Sequence, residues 1–275
     1  MSGRQIIGIH GLANKPEEVE LAEFWHSSLQ EGLEKNSGIN IDALPFTSVY
    51  WANVLYPLPD TNYDAYRPAP AGALKTYEAG TLDSIRAGVG DVVGNGLDWL
   101  KEHFNLGALA DGVLEAKLND LSRYYEEEAI RDELRRRLRN TLLDHDGESI
   151  MLICHSMGTI IAYDVLRELG RARPNFRVAH LITIGSPLGM PHVKRKILQE
   201  WRTARTPTNV DRWDNLADKR DPVAIDVYLR GDYKANGRGV EVRDDLIFSD
   251  WGGINHKSYG YLRCPEMSTL VAAFI

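Results

Sequence analysis

The chain has 275 residues, 43% of them hydrophobic, which suits one large domain with a full core and argues against a disordered chain. Its formal net charge of −7 argues against nucleic acid as a partner. The two cysteines, Cys154 and Cys264, have no pairing logic and indicate free thiols in a reducing compartment. No signal peptide and no run of about 18 apolar residues is visible, so we expect a cytoplasmic protein without a transmembrane segment.

The first elements are predicted to alternate between strand and helix. Residues 5–10 (QIIGIH) form an apolar strand that runs into a tight loop at Gly11, and residues 17–35 form a helix with an apolar stripe. Residues 39–46 and 48–56 are expected to be extended. A strand–helix–strand order predicts a parallel sheet with right-handed crossovers.

Residues 57–119 interrupt this order. Prolines and tyrosines open the segment, and glycines then recur among strongly apolar residues. The segment is either an extra helical layer that completes the core or a cap that covers a site. Apolar helices spaced by glycines favour a mobile cap or lid. The apolar surface of such a cap is also compatible with peripheral contact to a membrane.

The next segment is strongly charged. Residues 121–143 are predicted to form one long helix that is acidic at its start and basic at its end, as the helix dipole favours. We interpret its arginine run as a solvated helix face and not as a phosphate site. Asp144, His145 and Asp146 have the chemistry of metal ligands, but three adjacent residues cannot converge on one ion, so a turn is predicted there.

Residues 148–170 carry the clearest chemical pattern of the chain. Residues 150–154 form a continuous apolar run typical of a buried strand, and helical spacing begins at Thr159. Ser156 therefore lies at a strand-to-helix turn, the context in which a G-x-S-x-G motif marks a nucleophile. Cys154 stands in place of the first glycine of that motif but is still small. We predict that Ser156 is a nucleophile.

Two backbone N–H groups are predicted to stabilise an oxyanion beside Ser156. One belongs to Met157, the residue after the nucleophile and the start of the new helix. The other is expected from the loop after the first strand, where Gly11 lets the backbone turn so that the N–H of Leu12 points at the site. Alone, that loop would be interpreted as an ordinary strand-to-helix turn.

Three further strands and a final helix are predicted after the serine, over residues 176–184, 210–216, 240–248 and 265–274. Ser186 follows the first of these strands and is a rival nucleophile by position. Because Pro187 comes next and lacks the N–H that an oxyanion hole would use, we expect Ser186 to shape the rim of the site.

A serine nucleophile needs a base, and the base needs a carboxylate that holds its tautomer. Asp218 and Asp221 both follow a later predicted strand, and both fit as the acid. His256 lies in a loop after the acid and before the final helix, which suits the base. His155 is adjacent to the serine but is expected to point the other way along the turn.

Four short motifs together resemble those of α/β-hydrolases of the lipase and esterase kind. They are residues 9–16 (IHGLANKP), 155–158 (HSMG), 184–187 (IGSP) and 221–224 (DPVA). The chain is also similar, more distantly, to DDHD-type phospholipases, whose C-terminal region carries an Asp-Pro-Val-Ala stretch followed by a histidine. The resemblance covers most of the chain outside residues 57–119.

This resemblance implies an α/β-hydrolase fold, a mostly parallel central sheet flanked by helices with a helical cap or lid insertion. Residues 1–275 would form a single domain, with residues 57–119 as the insertion. The resemblance favours Asp221 over Asp218 as the acid, because residues 221–223 are similar to the Asp-x-Val-Pro ending of many lipases.

The expected function is hydrolysis of small-molecule or lipid carboxylic esters by a Ser156–His256–Asp221 triad, without a metal or organic cofactor. Three alternatives stay open. A thioesterase or amidase would use the same triad, and so would a phospholipase that docks on a membrane through the insertion. A non-catalytic binding module on the same fold is the third. The sequence does not indicate an oligomeric state.

Overall fold

The computed structural model describes residues 3–66, 75–77, 111–221, 223–224, 226–250 and 256–275. A sheet of six parallel strands runs through these ranges in the order β2-β1-β3-β4-β5-β6. The strands are β1 (Arg4–Ile9), β2 (Phe46–Val49), β3 (Ser149–His155), β4 (His180–Ile184), β5 (Trp213–Ala217) and β6 (Val242–Leu246). The predicted parallel sheet is confirmed.

Helices cover both faces of this sheet, which makes the architecture α/β as predicted. The helices are α1 (Glu18–Ser37), α2 (Ala52–Leu55), α3 (Asp111–Glu126), α4 (Glu128–Asp144), α5 (Met157–Ala172), α6 (Pro191–Trp201), α7 (Ser258–Leu262) and α8 (Pro265–Phe274). Helices α4, α5 and α6 contribute to one apolar cluster, and α1, α7 and α8 contribute to the other.

Strand β3 shows why its sequence is apolar without interruption. Ile150, Leu152 and Cys154 point into the first cluster, whereas Met151 and Ile153 point into the second. Successive side chains of a strand face opposite sides of the sheet, so a strand covered on both sides tends to be apolar on both of its faces. The strand that leads to Ser156 is therefore the buried centre of the molecule.

The strand order reverses direction at β1, which lies between β2 and β3. The carboxyl ends of β1 and β3 meet there, and the register pairs Ile9 with Cys154. The loop that begins at His10 and the turn at Ser156 are consequently neighbours. In open α/β sheets, ligands bind in the crevice beside such a switch point.

Residues 39–56 differ from the prediction of two extended segments. One short strand, β2, spans the predicted break, and the helix α2 follows it. The reason is a tertiary contact: the Trp51 backbone N–H donates to His10 Nε2 at 3.0 Å, and its indole N–H donates to the His10 carbonyl at 3.1 Å. These bonds turn the chain away from the sheet at Trp51.

The predicted helix over residues 121–143 is interrupted, because Glu127 adopts extended backbone angles between α3 and α4. A buried polar cluster joins the two pieces. Arg135 of α4 donates to the Tyr124 hydroxyl of α3 at 2.9 Å, and both side chains contact Asp164 of α5 at 2.7 Å. Neither glycine nor proline marks this break, so the local pattern could not have predicted it.

The later elements follow the prediction with shorter strands, and α8 has the predicted bounds. Most of the predicted cap over residues 57–119, namely 67–74 and 78–110, lies outside the described residues. Within the described ranges, every helix is either too short or too polar to cross a lipid bilayer.

Gly158 provides a test of how closely α5 approaches β1. A Cβ at this position would lie 2.7 Å from the His10 carbonyl oxygen and 2.8 Å from that of Ile9. Backbone atoms of a strand that is paired on both sides cannot move aside at low energetic cost, so we expect Gly158→Ala to lower the free energy of unfolding by about 1–3 kcal/mol. Urea unfolding followed by circular dichroism measures this. Gly231→Ala is the control, because a Cβ there meets nothing within 4 Å. Equal stability of the two variants would contradict the close approach.

Candidate active site

The structure brings Ser156, His256 and Asp221 into contact at the carboxyl end of the sheet. The Ser156 Oγ lies 2.9 Å from His256 Nε2, and His256 Nδ1 lies 2.9 and 3.0 Å from the two carboxylate oxygens of Asp221. All three residues are at most 5% exposed. Because a carboxylate only accepts, Nδ1 carries the proton and Nε2 turns its lone pair to the serine hydroxyl.

The backbone at Ser156 explains how the hydroxyl reaches this position. Strand β3 ends at His155 and α5 begins at Met157, so one residue makes the whole reversal. Ser156 has φ 51° and ψ −126°, a conformation that non-glycine residues rarely adopt. Its N–H donates to the Ile184 carbonyl at 3.1 Å and its carbonyl accepts from the Thr159 N–H at 2.9 Å. The surrounding structure therefore holds the strained turn that the sequence predicted.

Cys154 lies two residues before this turn, where the motif usually has glycine. Its side chain is fully buried in the apolar cluster beneath α5. Burial raises the pKa of the Cys154 thiol well above its ordinary value, so the group stays a neutral, small apolar side chain. The departure from the motif is accommodated by packing.

Asp221 is surrounded by donors. The Tyr261 hydroxyl donates to its Oδ2 at 2.7 Å, and the Val223 N–H donates to its Oδ1 at 2.8 Å. Burial by itself would raise the pKa of Asp221, but the nearby His256 and the hydrogen bonds from His256, Tyr261 and Val223 bring it below its ordinary value. The carboxylate beside His256 is therefore ionised.

Asp218 has other partners. Its carboxylate accepts from the Arg220 guanidinium at 2.5 and 3.0 Å and from the Ser249 N–H at 2.7 Å. It joins the end of β5 to the segment after β6. Sequence position could not separate the two aspartates, because both follow β5 within four residues of its end.

Two residues near the triad were missed by the sequence interpretation. Tyr261 on α7 donates to Asp221 and accepts from the Asp218 N–H at 3.1 Å, so one hydroxyl joins both aspartates. His155 does not point away as predicted. Its Nε2 lies 2.8 Å from the His256 carbonyl, and the two imidazole rings are 4.8 Å apart. The two tyrosines in residues 258–262 (SYGYL) follow His256 closely, and this proximity could have indicated that Tyr261 lies near the triad.

Gly11 brings the loop after β1 against the serine. A Cβ on Gly11 would lie 2.5 Å from the Ser156 Cβ and 2.9 Å from His155 Nδ1, so only glycine fits. Leu12, the predicted oxyanion donor, is the next residue. Met157, the other predicted donor, is the first residue of α5, where N–H groups have no acceptor inside the helix and the dipole is positive.

Charged side chains hold this loop. The Lys15 ammonium donates to the carbonyls of Leu12, Ala13 and Asn14, the last two at 2.9 and 3.2 Å. The Ala13 N–H donates to Asp120 of α3 at 2.8 Å, and Ala13 has φ 68°. Three carbonyls that accept from one ammonium group must point toward it, so Lys15 restricts the backbone conformation of residues 12–14.

Ser186, the rival nucleophile, is buried and bonded elsewhere. Its Oγ lies 2.9 Å from the Thr159 Oγ1 and accepts from the Leu188 N–H at 3.2 Å. Among the residues that the structure describes, no group of three His, Cys, Asp or Glu side chains could hold a metal ion.

Two histidines, His10 and His192, are expected to make the free energy of unfolding depend on pH. Burial, together with the positive charge of Lys15, lowers the pKa of His10 well below its ordinary value of 6.5, and burial with Lys196 lowers the pKa of His192. Below about pH 6.5 these histidines bind protons in the unfolded chain but stay neutral in the folded protein. Their full contribution to the free energy of unfolding is therefore present above that pH, and it decreases as the pH falls.

His10→Asn removes one of these groups and should flatten the slope of unfolding free energy against pH, which is about 1.4 kcal/mol per pH unit per proton. Urea unfolding between about pH 7.5 and about pH 5 measures the slope. Identical slopes for the variant and the unaltered protein would show that His10 does not contribute.

An imidazole between a buried carboxylate and a hydroxyl can take the hydroxyl proton, and the unpaired N–H groups in the first turn of a helix can receive negative charge. No protein-family model matches this chain, and no curated protein proves similar to it.

Proposed function

We propose that this chain is a serine hydrolase that cleaves carboxylic esters, of the esterase or lipase kind, through an acyl-enzyme intermediate. The contact chain from Ser156 Oγ through His256 to Asp221 supports this proposal most directly, because both links are within hydrogen-bond distance. The three side chains come from segments about 35 and 100 residues apart in sequence, which makes a coincidental alignment a poor explanation.

The first half of the proposed reaction is acylation. The Ser156 oxygen attacks the ester carbonyl carbon while its proton moves to His256 Nε2. The buried carboxylate of Asp221 stabilises the imidazolium that forms and keeps Nδ1 protonated. The tetrahedral intermediate then collapses, His256 gives its proton to the leaving alcohol, and the acyl group stays on Ser156.

The negative charge of the tetrahedral intermediate would be received by the N–H groups of Leu12 and Met157. Met157 starts α5, so the positive end of that helix adds to the stabilisation. In the second half, water takes the place of the serine as nucleophile and His256 takes its proton. The acid is released and the serine hydroxyl is restored.

We also propose that the fold is an α/β-hydrolase variant in which residues 57–119 form a cap. The described start of this segment already contacts the oxyanion loop. Asn14 donates to the Leu58 carbonyl at 2.8 Å, the Asp60 N–H donates to the Lys15 carbonyl at 2.7 Å, and the Tyr66 hydroxyl donates to the Asn14 carbonyl at 2.9 Å. These bonds join the start of the segment to the loop that carries Leu12, which supports the proposed cap.

Labelling with a fluorophosphonate tests the nucleophile. We expect the probe to attach to Ser156 in the unaltered protein, as read by mass spectrometry of peptides, because His256 makes this hydroxyl nucleophilic. Ser186→Ala is the matched control and should be labelled fully. A folded protein that is not labelled at Ser156 would favour a non-catalytic binding protein. A panel of p-nitrophenyl esters, thioesters and anilides would then separate esterase from thioesterase and amidase chemistry.

A further inference from the structure

Both ring nitrogens of the buried His10 side chain lie within hydrogen-bond distance of backbone groups. It is 2% exposed, its ring stacks on Trp51 with 4.5 Å between ring centres, and its Nδ1 lies 2.9 Å from the Gly11 carbonyl oxygen. The Trp51 backbone N–H donates to Nε2 at 3.0 Å. Since Nε2 accepts, it carries no proton, and Nδ1 must be the nitrogen that donates to Gly11.

The Gly11 carbonyl belongs to the same peptide unit as the Leu12 N–H. In a trans peptide these two groups lie in one plane and point to opposite sides. The chain has no cis peptide bond among its described residues. By holding the carbonyl, His10 therefore fixes the direction of the N–H at the other end of the unit, away from itself.

The next peptide unit is fixed independently at both ends. Its carbonyl, from Leu12, accepts from the Lys15 ammonium, and its N–H, from Ala13, donates to Asp120 at 2.8 Å. The Ala13 N–H is thus committed to a carboxylate. The direction of the Leu12 N–H, in contrast, depends on His10, and the residue that precedes it, Gly11, lies against Ser156.

We propose that His10 is a positioning residue that holds the Gly11–Leu12 peptide in the orientation that forms the oxyanion hole. Trp51 supports it by fixing the imidazole tautomer through Nε2. This inference rests on the proposed hydrolase function. A peptide that rotated would turn a carbonyl, in place of an N–H, toward the developing oxyanion, so its orientation decides between stabilising and repelling the charge.

The test compares two nearly isosteric replacements. His10→Asn keeps a donor near the position of Nδ1, whereas His10→Leu keeps a similar volume without a donor. We expect His10→Leu to lower kcat for p-nitrophenyl ester hydrolysis by about tenfold or more, less than the 10²–10³ lost with a complete oxyanion donor, with little change in KM. His10→Asn should keep most of the activity.

A second readout reports the oxyanion hole without turnover. The Ser156 oxygen adds to the boron of phenylboronic acid while its proton moves to His256 Nε2, which leaves a tetrahedral boronate anion. The affinity for this acid should therefore fall for His10→Leu by a factor similar to the loss in kcat. If His10→Leu does not fold, His10→Gln replaces it in both measurements, because its amide lies near the position of Nε2 and can still accept from Trp51.

Each outcome is decisive. Equal losses in the leucine and asparagine variants would show that the ring acts by packing, and no loss in either would show that the peptide needs no support; both overturn the inference. Fluorophosphonate labelling of the unaltered protein distinguishes these results from failure of the proposed function. If Ser156 is not labelled and no ester is cleaved, the hydrolase assignment fails and the role of His10 fails with it.

Discussion

Ser156→Ala is expected to lower kcat for p-nitrophenyl ester hydrolysis by about 10⁶, since removal of the nucleophile of such a triad costs this much. The variant lacks the hydroxyl that lies 2.9 Å from His256 Nε2, so the remaining imidazole and carboxylate have no Ser156 oxygen to activate. Initial rates over a range of ester concentrations, with enzyme high enough to detect the residual rate, measure the effect.

The same substitution should leave the fold intact. Alanine keeps the Cβ of Ser156 and removes one hydrogen bond to His256, worth about 0.5–1.5 kcal/mol. Ser186→Ala is the matched control, because Ser186 is also buried at the end of a central strand but bonds to Thr159. Loss of activity in both variants, or in neither, would contradict Ser156 as the nucleophile.

Asp221→Asn is expected to lower kcat by about 10⁴, with the geometry largely kept. An asparagine amide in place of the carboxylate favours the wrong His256 tautomer, with the proton on Nε2, where it can no longer accept from Ser156. It also removes the negative charge that stabilises the imidazolium. The rate of each protein is measured together with the dependence of kcat/KM on pH at the acidic end of the range, for Asp221→Asn and for the unaltered protein.

Asp218→Asn separates the two candidate acids. Its carboxylate contacts the Arg220 guanidinium and the Ser249 N–H, so its substitution should weaken charge-assisted bonds worth about 1.5–3 kcal/mol each. We expect a lower midpoint of urea unfolding with kcat close to that of the unaltered protein. Equal, small losses of activity in both variants would mean that neither aspartate is the acid.

The parts of the site that depend on local sequence were predictable. The change from a continuous apolar run to helical spacing placed Ser156 at a turn, and the structure has that turn, with φ 51° at the serine. The parallel sheet also follows from local patterns, because the predicted strands and helices alternate along the chain. Chain order was enough to select His256 among the histidines that follow the serine.

The parts of the site that depend on long-range contacts could not be predicted from the sequence. Asp218 and Asp221 differ by three positions, and only the path of the chain after β5 directs one to His256 and the other to Arg220. The bend at Trp51 is made by His10, 41 residues earlier, and the helix break at Glu127 is accompanied by bonds to Asp164 on another helix. No window of sequence contains both members of such pairs.

The parallel pairing of β1 with β3 also has a consequence for the folding rate. Its pairing with β3 joins Ile9 to Cys154 in parallel, so a long stretch of chain must be closed into a loop before these strands meet. Closure of this kind is slow, because chain entropy is lost before the distant contact forms. Helix α5 can form early, yet Gly11 and Leu12 reach Ser156 only when that loop closes. In the proposed enzyme, activity regained during refolding would therefore follow strand pairing and lag behind the helical signal.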